Sequence, residues 1–341
     1  MCWSRLLPPM KSRAAMPSRR RNVAPCGILR AAPEAATSGQ QAGFFRLREG
    51  HGMSEPLPHL THLRGIISRY DAIISDVWGV VHNGLEATAG APEALAAARE
   101  AGLAVVLLTN APRPPHSIQK QLRGLGVIDH AYDAIVSSGG VTRALMASEG
   151  DAPFFHLGPE RDKALYAGLS ARPVPFEDAH YILCTGLFHD ETETAEHYRP
   201  MMEAAMARKL RLYCANPDLI VERGHDLIPC AGAIADIYER MGGETVWVGK
   251  PHPLVYAEAR AAVTAKLGRE ISPERILCIG DAFRTDVAGA RAGGHDCLMT
   301  LAGIHGHQIG LRDGRYDQKA LEALAEANGI RPTMTMVSLA W

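Results

Sequence analysis

The sequence predicts an α/β fold built around a doubly wound parallel sheet. Short apolar segments of strand length alternate with amphipathic segments of helix length, and the strand segments are apolar along nearly their whole length. Such strands are buried on both faces, as in a parallel sheet covered on both sides by its crossover helices. The chain has 341 residues. Since a single hydrophobic core seldom grows beyond ~250 residues, we expect more than one domain.

Two stretches of the chain carry this alternation. The first predicts strands at 71–76, 103–110 and 132–138 and helices at 92–102, 117–126 and 139–150. The second predicts strands at 244–250, 274–281 and 295–303 and helices at 251–268 and 284–294. We expect these six strands to share one sheet.

Polar residues follow four of these strands at their carboxyl ends, where ligands bind in parallel α/β sheets. They are Asp76, Thr109 with Asn110, Lys250, and Asp281 with Asp286 five residues later. Carboxylates bind divalent cations, whereas lysine and hydroxyl groups bind phosphoryl oxygens. The sequence therefore predicts a metal and phosphate site at this edge of the sheet. The alternative for the aspartates, Thr109 and Asn110 is an ordinary role in capping a helix or forming a turn, and for Lys250 it is a solvated side chain.

The first 52 residues differ from the rest of the chain. They carry nine Lys or Arg against two acidic residues, a charge of +7, whereas the remaining residues carry −8. This segment has no hydrophobic periodicity, so we expect it to be disordered. It is an organelle transit peptide, a basic contact for nucleic acid, or, most simply, a stretch outside the native protein because translation begins at Met53. We expect no nucleic-acid partner for the remainder.

Composition also indicates the compartment. No apolar run approaches the ~18 residues of a membrane span, so we expect no membrane partner. The seven cysteines are an odd number, widely spread and without paired metal-type spacing. This pattern favours reduced thiols and a cytoplasmic location.

Four segments, in order, resemble the haloacid dehalogenase (HAD) superfamily: IISDVWG, VLLTN, VGKPHP and CIGDAFRTD. CANPD and IPCAGAIADIYERMGG look like class IIA of this superfamily, and DVWGVVHNG resembles a bacterial subfamily whose substrate the sequence does not specify. The resemblance implies a Rossmann-type core formed by residues 53–140 and 246–341. An α/β cap domain would be inserted at 141–245.

The resemblance further implies a phosphatase mechanism. Asp76 would be the nucleophile that takes the phosphoryl group as an aspartyl phosphate. Lys250 and Thr109 would contact the phosphate during catalysis, and Asn110 would bind substrate. The substrate would be a small phosphorylated metabolite of the sugar phosphate, nucleotide or pyridoxal phosphate class.

The implied cofactor is Mg²⁺. The carboxylates of Asp76 and Asp281 and the main-chain carbonyl of Trp78 would bind it, with Asp286 supporting this set. A main-chain ligand can come from any residue type, so the tryptophan does not prevent metal binding.

In the cap, the predicted substrate contacts are Asn216 and Gly232. Asn216 is alternatively a turn former. Gly232 lies in a loop that opens a helix, where backbone N–H groups can meet an anionic ligand. The resemblance also favours a homodimer.

Trp78 departs from the superfamily, whose phosphatases carry a second aspartate there as general acid and base. An indole N–H has no usable acidity. Loss of a positioned acid and base costs ~10²–10⁴ in rate. Slow turnover is therefore expected unless another group substitutes, and His82 is a candidate, with a structural histidine as the alternative. A low-turnover sensor or interaction protein that binds a phosphorylated metabolite is the second functional hypothesis.

Overall fold

Strands and helices alternate along most of the chain. The computed structural model describes residues 56–223 and 226–341. The strands of these residues are β1 (Ala72–Ser75), β2 (Ala104–Thr109), β3 (Ala134–Ser137), β4 (Phe154–Leu157), β5 (Tyr181–Cys184), β6 (Arg211–Cys214), β7 (Ile220–Arg223), β8 (Asp226–Pro229), β9 (Thr245–Trp247), β10 (Ile276–Gly280), β11 (Asp296–Thr300) and β12 (Met334–Met336). The α-helices are α1 (Ala91–Glu100), α2 (Pro115–Gly124), α3 (Ser138–Ser148), α4 (Arg199–Ala207), α5 (Ala231–Arg240), α6 (Pro253–Leu267), α7 (Ala288–Ala292) and α8 (Gln318–Ala327).

The larger sheet has six parallel strands in the order β12-β11-β10-β1-β2-β3. Successive side chains of a strand point to opposite faces of the sheet, so they belong alternately to two hydrophobic clusters. Ala72 and Ile74 of β1 belong to one cluster and Ile73 to the other. Helices α6 and α8 cover the first face, and α1 and α2 cover the second. The predicted doubly wound parallel sheet is confirmed.

A second sheet of four parallel strands has the order β4-β5-β6-β9. Helices α4 and α5 pack on one face, where Met202 and Ile234 are buried with Ile182 of β5. The other face buries Leu183 with Met146 of α3. A short antiparallel hairpin, β7 and β8, lies between β6 and α5 in the chain. This inserted α/β layer agrees with the predicted fold class, whereas the domain boundaries at 140 and 245 stay a prediction.

Strand β9 corrects one expectation. The 244–250 segment was expected in the core sheet, but Leu212 to Cys214 pair with Thr245 to Trp247 in the second sheet. An apolar run indicates a strand without indicating its neighbour, and β6 offers the edge that β9 extends. The chain then crosses to the core, where Val248 is buried in the cluster that covers the large sheet. Lys250 thus reaches the core site from the second sheet.

Three further expectations concern membrane-spanning segments, disulfides and the first 52 residues. Among the described residues, no helix is long and apolar enough to cross a bilayer. The five described cysteines, Cys184, Cys214, Cys230, Cys278 and Cys297, are buried and form no disulfide. The predictions of a disordered basic segment at 1–52 and of a start at Met53 lie outside the described residues.

Candidate active site

The structure brings the predicted strand-end residues together. Asp76 directly follows β1, Thr109 ends β2, and Asp281 directly follows β10. These three strands are neighbours in the order β10-β1-β2 and run in the same direction, so their carboxyl ends meet. Asp286 lies on a single π-helical turn, Phe283–Val287, just after Asp281. Such turns are frequent at functional sites.

Three carboxylates form a buried cluster. Asp76, Asp281 and Asp286 each offer one oxygen, and these oxygens all lie within 4.8 Å of one another. The Nζ atom of Lys250 lies 2.5 Å from Asp76 Oδ1 and 2.7 Å from Asp286 Oδ1. Lys250 is only 3% exposed. One buried ammonium group is therefore set against three buried carboxylates and pairs directly with two of them.

The electrostatics of the cluster follow from this imbalance. Burial raises the pKa of Asp76 well above its usual range, and the charge of Asp286 adds to the rise, while Lys250 opposes it. Burial and Asp286 likewise raise the pKa of Asp281 to about 7. Burial alone would lower the pKa of Lys250, but the charges of Asp286 and Asp76 outweigh it and raise that pKa. The carboxylates need more positive charge than Lys250 supplies.

This donor set fits a hard divalent cation. Mg²⁺ and Ca²⁺ prefer oxygen ligands and are held by one or more carboxylates together with carbonyl groups and water. A methyl group on Gly79 would lie 2.0 Å from Asp281 Oδ2, so the main chain next to Trp78 runs directly past this carboxylate. That proximity is consistent with the predicted role of the main-chain carbonyl of Trp78, which stays a prediction. The implied Mg²⁺ therefore fits the residues present.

Two glycines hold the Asp281 carboxylate in place. Gly79 has φ +81°, a conformation that favours glycine, and closes against one side of the carboxylate. Gly303 approaches as closely, because a methyl group there would lie 2.1 Å from Asp281 Oδ2. The next N–H, of Ile304, donates a 2.8 Å hydrogen bond to the same oxygen. Sequence reasoning missed Gly303 and Ile304, whose only signal was a glycine at the end of a predicted strand.

Thr109 and Asn110 lie beside the cluster and line the same cavity. The Thr109 hydroxyl oxygen accepts from the Ala111 N–H at 3.2 Å, which leaves its proton available to a ligand. Asn110 Oδ1 accepts from the Lys250 N–H at 2.7 Å, and its Nδ2 donates to Asp218 Oδ1 at 2.9 Å. Asn110 thus joins the core to the loop after β6. Its predicted substrate contact stays a prediction.

The Trp78 side chain is held within its own turn. Its ring meets the His82 ring edge-on, with centroids 4.9 Å apart and planes at 71°. A methyl group on Gly84 would lie 2.6 Å from Trp78 Cζ2, so the indole packs on bare backbone. Trp78 lines the cavity that also holds Asp76.

His82 has the features of a structural histidine. It is 2% exposed, and its Nδ1 accepts from the Gly84 N–H at 2.9 Å. Burial lowers its pKa to about 4, so the ring is neutral near pH 7. His82 is not among the residues that line the cavity around Asp76. The structure therefore favours the structural alternative over a catalytic one.

The two predicted cap residues shape the loop that carries Asp218. Asn216 Oδ1 accepts from the Asp218 N–H at 3.1 Å, forming a turn. A side chain at Gly232 would lie 2.3 Å from the Pro217 carbonyl oxygen, so this glycine lets α5 approach the loop. Neither Asn216 nor Gly232 lines the cavity around Asp76 or the larger cavity beside it. Direct contact of either residue with substrate stays a prediction.

Two cavities adjoin at this site. One of about 480 Å³ contains Asp76, Trp78, Thr109, Lys250 and Asp281. The other, of about 860 Å³, is lined by residues of the loop after β6, the β7–β8 hairpin, α5 and the segments after β9, β10 and β11. Five residues line both cavities: Asp218, Ile220, Ala282, Thr285 and Ile304. A ligand can therefore extend from the carboxylate cluster into the larger space.

Known proteins share this architecture. Residues 73–170 match a family model described as haloacid dehalogenase-like hydrolase, and residues 247–327 match one described as HAD-hydrolase-like. The crystal structure of a haloacid dehalogenase-like hydrolase from Brucella suis 1330 is 42% identical, covers 82% of this chain and 100% of that chain, and has a TM-score of 0.73.

Curated relatives are more distant. D-glycerol 3-phosphate phosphatase of Mycobacterium tuberculosis is 28% identical over 250 residues, which are 71% of this chain and 66% of that protein. This chain thus spans slightly less than two thirds of that relative's length. Ribonucleotide monophosphatase NagD of Escherichia coli is 27% identical over 240 residues, 68% of this chain and 88% of that protein.

The matched segments contain the site. The first family match includes Asp76 and Thr109, and the second includes Lys250, Asp281 and Asp286. The resemblance to the superfamily and to its class IIA is confirmed, while the DVWGV subfamily stays a prediction. On the family matches and on the 42% identity to the Brucella enzyme, the chain belongs to the haloacid dehalogenase-like hydrolase family.

Proposed function

We propose that the protein is a phosphatase that hydrolyses a small phosphate ester through an aspartyl phosphate on Asp76, with Mg²⁺ as its metal. The observation that supports the proposal is that Asp76, Asp281, Asp286 and Lys250 form one buried cluster beside a cavity. The relatives named as phosphatases of glycerol 3-phosphate and ribonucleotides support the reaction type. The substrate class we propose is a sugar phosphate, a nucleotide or pyridoxal phosphate.

The carboxylate cluster supports a divalent cation in this proposal. Asp76 and Asp281, with the main-chain carbonyl of Trp78, would hold it, and Asp286 would orient Lys250 beside them. When bound, Mg²⁺ neutralises phosphoryl charge and orients the oxygens of the reacting group.

The reaction divides into two displacements at phosphorus. A carboxylate oxygen of Asp76 attacks, the bond from phosphorus to the leaving oxygen breaks, and water later displaces Asp76 to release inorganic phosphate. Lys250 fixes the Asp76 carboxylate at 2.5 Å and brings positive charge to the phosphoryl oxygens. Thr109 donates its hydroxyl proton to a phosphoryl oxygen, because its own oxygen already accepts from Ala111.

The adjoining cavity gives the leaving group a place. Its volume of about 860 Å³ is within the usual range for small-molecule sites. Trp247 and His252 line it with nearly parallel rings, 5.9 Å apart between centroids, and Arg284 contributes a cation. A planar or polar organic group attached to the phosphate would fit these surroundings.

Trp78 favours a second candidate function. Position 78 carries no carboxyl group, and the indole is packed against Gly84 and His82. A protein of this kind could bind a phosphorylated metabolite and turn it over slowly, as a sensor or interaction module.

One experiment separates the two functions. Purified protein is incubated with p-nitrophenyl phosphate and a panel of phosphorylated metabolites, with and without Mg²⁺, and released phosphate is measured. The proposal expects Mg²⁺-dependent release that Asp76→Asn abolishes. Release that persists in Asp76→Asn would refute the nucleophile, and calorimetric binding without release would establish the sensor function.

The proposal also covers the location and the oligomeric state of the protein. The buried cysteines, none of them in a disulfide among the described residues, support a cytoplasmic location. The homodimer stays a prediction, and light scattering of the purified protein tests it.

A further inference from the structure

A phosphatase of this kind needs a proton donor for the leaving oxygen, and position 78 cannot supply one. Five side chains with titratable groups line the cavity around Asp76, namely Asp76, Glu86, Asp218, Lys250 and Asp281. This inference rests on the proposed phosphatase function. Each of these groups is a candidate to move the proton.

Three of the five groups already have another role in the proposed reaction. Asp76 is the nucleophile, and Asp281 belongs to the carboxylate cluster that fits a cation. Lys250 is held between Asp76 and Asp286, at 2.5 and 2.7 Å, and these anions keep its proton firmly bound. Glu86 and Asp218 remain.

The carboxyl group of Asp218 is held in place by neighbouring groups, whereas that of Glu86 is not. The Asp218 carboxylate is half-buried and accepts from Asn110 Nδ2 at 2.9 Å. Its main-chain N–H is fixed by Asn216, and Gly232 packs so closely that a methyl group there would lie 2.5 Å from the Asp218 carbonyl oxygen. The Glu86 side chain is exposed, so its carboxyl group is not held in one geometry.

Asp218 also lies where the two cavities meet. It lies on the loop between β6 and β7 and lines both the smaller cavity and the larger one. The leaving group has to pass from the first space into the second. A proton donor for the leaving oxygen belongs at that junction.

We propose that Asp218 is the general acid and base of this enzyme, in place of the carboxyl group that position 78 lacks. Its carboxyl proton passes to the leaving oxygen as the bond from phosphorus to that oxygen breaks. The resulting Asp218 carboxylate then accepts a proton from the water whose oxygen attacks the aspartyl phosphate. That step breaks the bond from phosphorus to Asp76, releases inorganic phosphate and restores both carboxyl groups to their starting states.

The surroundings of Asp218 suit this role. Burial raises the pKa of Asp218, and the charge of Asp286 adds to the rise. Lys250, the hydrogen bond from Asn110 and Arg284 oppose it. A carboxyl group with a raised pKa carries its proton closer to neutral pH, as a general acid requires.

Two aryl phosphates of nearly equal shape test the proposal. Phenyl phosphate has a poor leaving group and p-nitrophenyl phosphate a good one, so only the first depends strongly on protonation. Asp218→Asn keeps an acceptor for Asn110 but has no proton to transfer. We expect kcat/KM for phenyl phosphate to fall on the order of 10²-fold and that for p-nitrophenyl phosphate to fall only several-fold.

Matched variants make the outcome decisive. Asp178→Asn changes an exposed aspartate that lines neither cavity, and it should leave both rates unchanged. Asp218→Glu keeps a carboxyl group and should recover part of the phenyl phosphate activity. Equal losses on both substrates in Asp218→Asn would show a merely structural role and overturn the proposal. A selective loss in Glu86→Gln instead would assign the proton to Glu86.

These outcomes are distinct from failure of the proposed function. If wild-type protein releases phosphate from neither the aryl phosphates nor the metabolite panel, the phosphatase function itself is refuted, and activity that persists in Asp76→Asn refutes Asp76 as its nucleophile. If Asp76→Asn is inactive while the ratio of the two rates is insensitive to Asp218→Asn, only the Asp218 assignment falls. Thermal unfolding of Asp218→Asn and Asp218→Glu identifies any variant whose loss comes from misfolding.

Discussion

Adding one methyl group at Gly303 should weaken metal binding without removing any ligand. The added carbon of Gly303→Ala would lie 2.1 Å from Asp281 Oδ2 and 2.5 Å from Asp281 Cγ. Because carbon atoms pack at about 3.5 Å, the carboxyl group must retreat by about 1 Å. The Ile304 N–H that holds the same oxygen at 2.8 Å would be displaced with it.

The expected effect follows from the strict geometry of Mg²⁺. This ion demands ligand distances of about 2.0–2.1 Å, so a displacement of about 1 Å removes Asp281 from the ideal position. Loss of a supporting contact at a metal site typically costs about 10–100-fold in affinity. That range corresponds to about 1.4–2.7 kcal/mol.

The assay is the Mg²⁺ concentration that gives half-maximal phosphate release, supported by calorimetric Mg²⁺ binding. Gly124→Ala is the matched control, because Gly124 is exposed at the end of α2 and a methyl group there would meet nothing within 4 Å. We expect the half-saturating concentration to rise about 10–100-fold in Gly303→Ala and to stay unchanged in the control. Unchanged half-saturation in Gly303→Ala would refute the role of the Asp281 carboxylate in metal binding.

Three further predictions concern the buried charges and the loop. Lys250→Met leaves Asp76 and Asp286 without their cation. In urea titrations without metal, the free energy of unfolding should therefore fall by about 3–5 kcal/mol at neutral pH and by less in acid, where the carboxylates are protonated. Equal losses at both pH values would contradict this. The pKa of His82 is about 4 in the folded protein, below its unfolded value of about 6.5. The free energy of unfolding should therefore be highest above about pH 6.5. It should fall by up to about 1.4 kcal/mol per pH unit as the pH drops towards 4. His82→Asn should reduce that slope, and an identical slope would show that another group titrates. Gly232→Ala would place a carbon 2.3 Å from a backbone oxygen of the neighbouring loop. We expect the free energy of unfolding to fall by about 1–3 kcal/mol in the same titrations. Stability equal to that of the wild type would show that the loop adapts freely.

Much of the core could be predicted because its signals are local. A run such as AVVLLT, now β2, is apolar at nearly every position and is buried at every position, as a strand covered on both faces must be. The polar residue after each strand then marks the carboxyl edge. Asp76, Thr109 and Asp281 were placed at one edge by this reasoning, and the structure has them there.

The partner of a strand is not a local property. Pairing depends on which edge is open when the chain arrives, and β9 extends the second sheet at β6 rather than the core sheet. The same limit applies to His82. A histidine four residues beyond Trp78 could face the ligand or the interior, and only packing against the indole and the hydrogen bond from Gly84 put it inside.

The sequence by itself determined the parallel α/β core, the order of its elements and the residues at its strand ends, because hydrophobic periodicity and strand polarity act between near neighbours. The tertiary structure alone decided which sheet the strand before Lys250 joins, how closely Gly303 approaches Asp281, and that Asn110 bonds both Lys250 and Asp218. The Asn110 contacts join positions more than a hundred residues apart, and Gly303 approaches Asp281 so closely that one methyl group has no room between them. Such contacts arise only when the chain folds, and a linear pattern carries no measure of them.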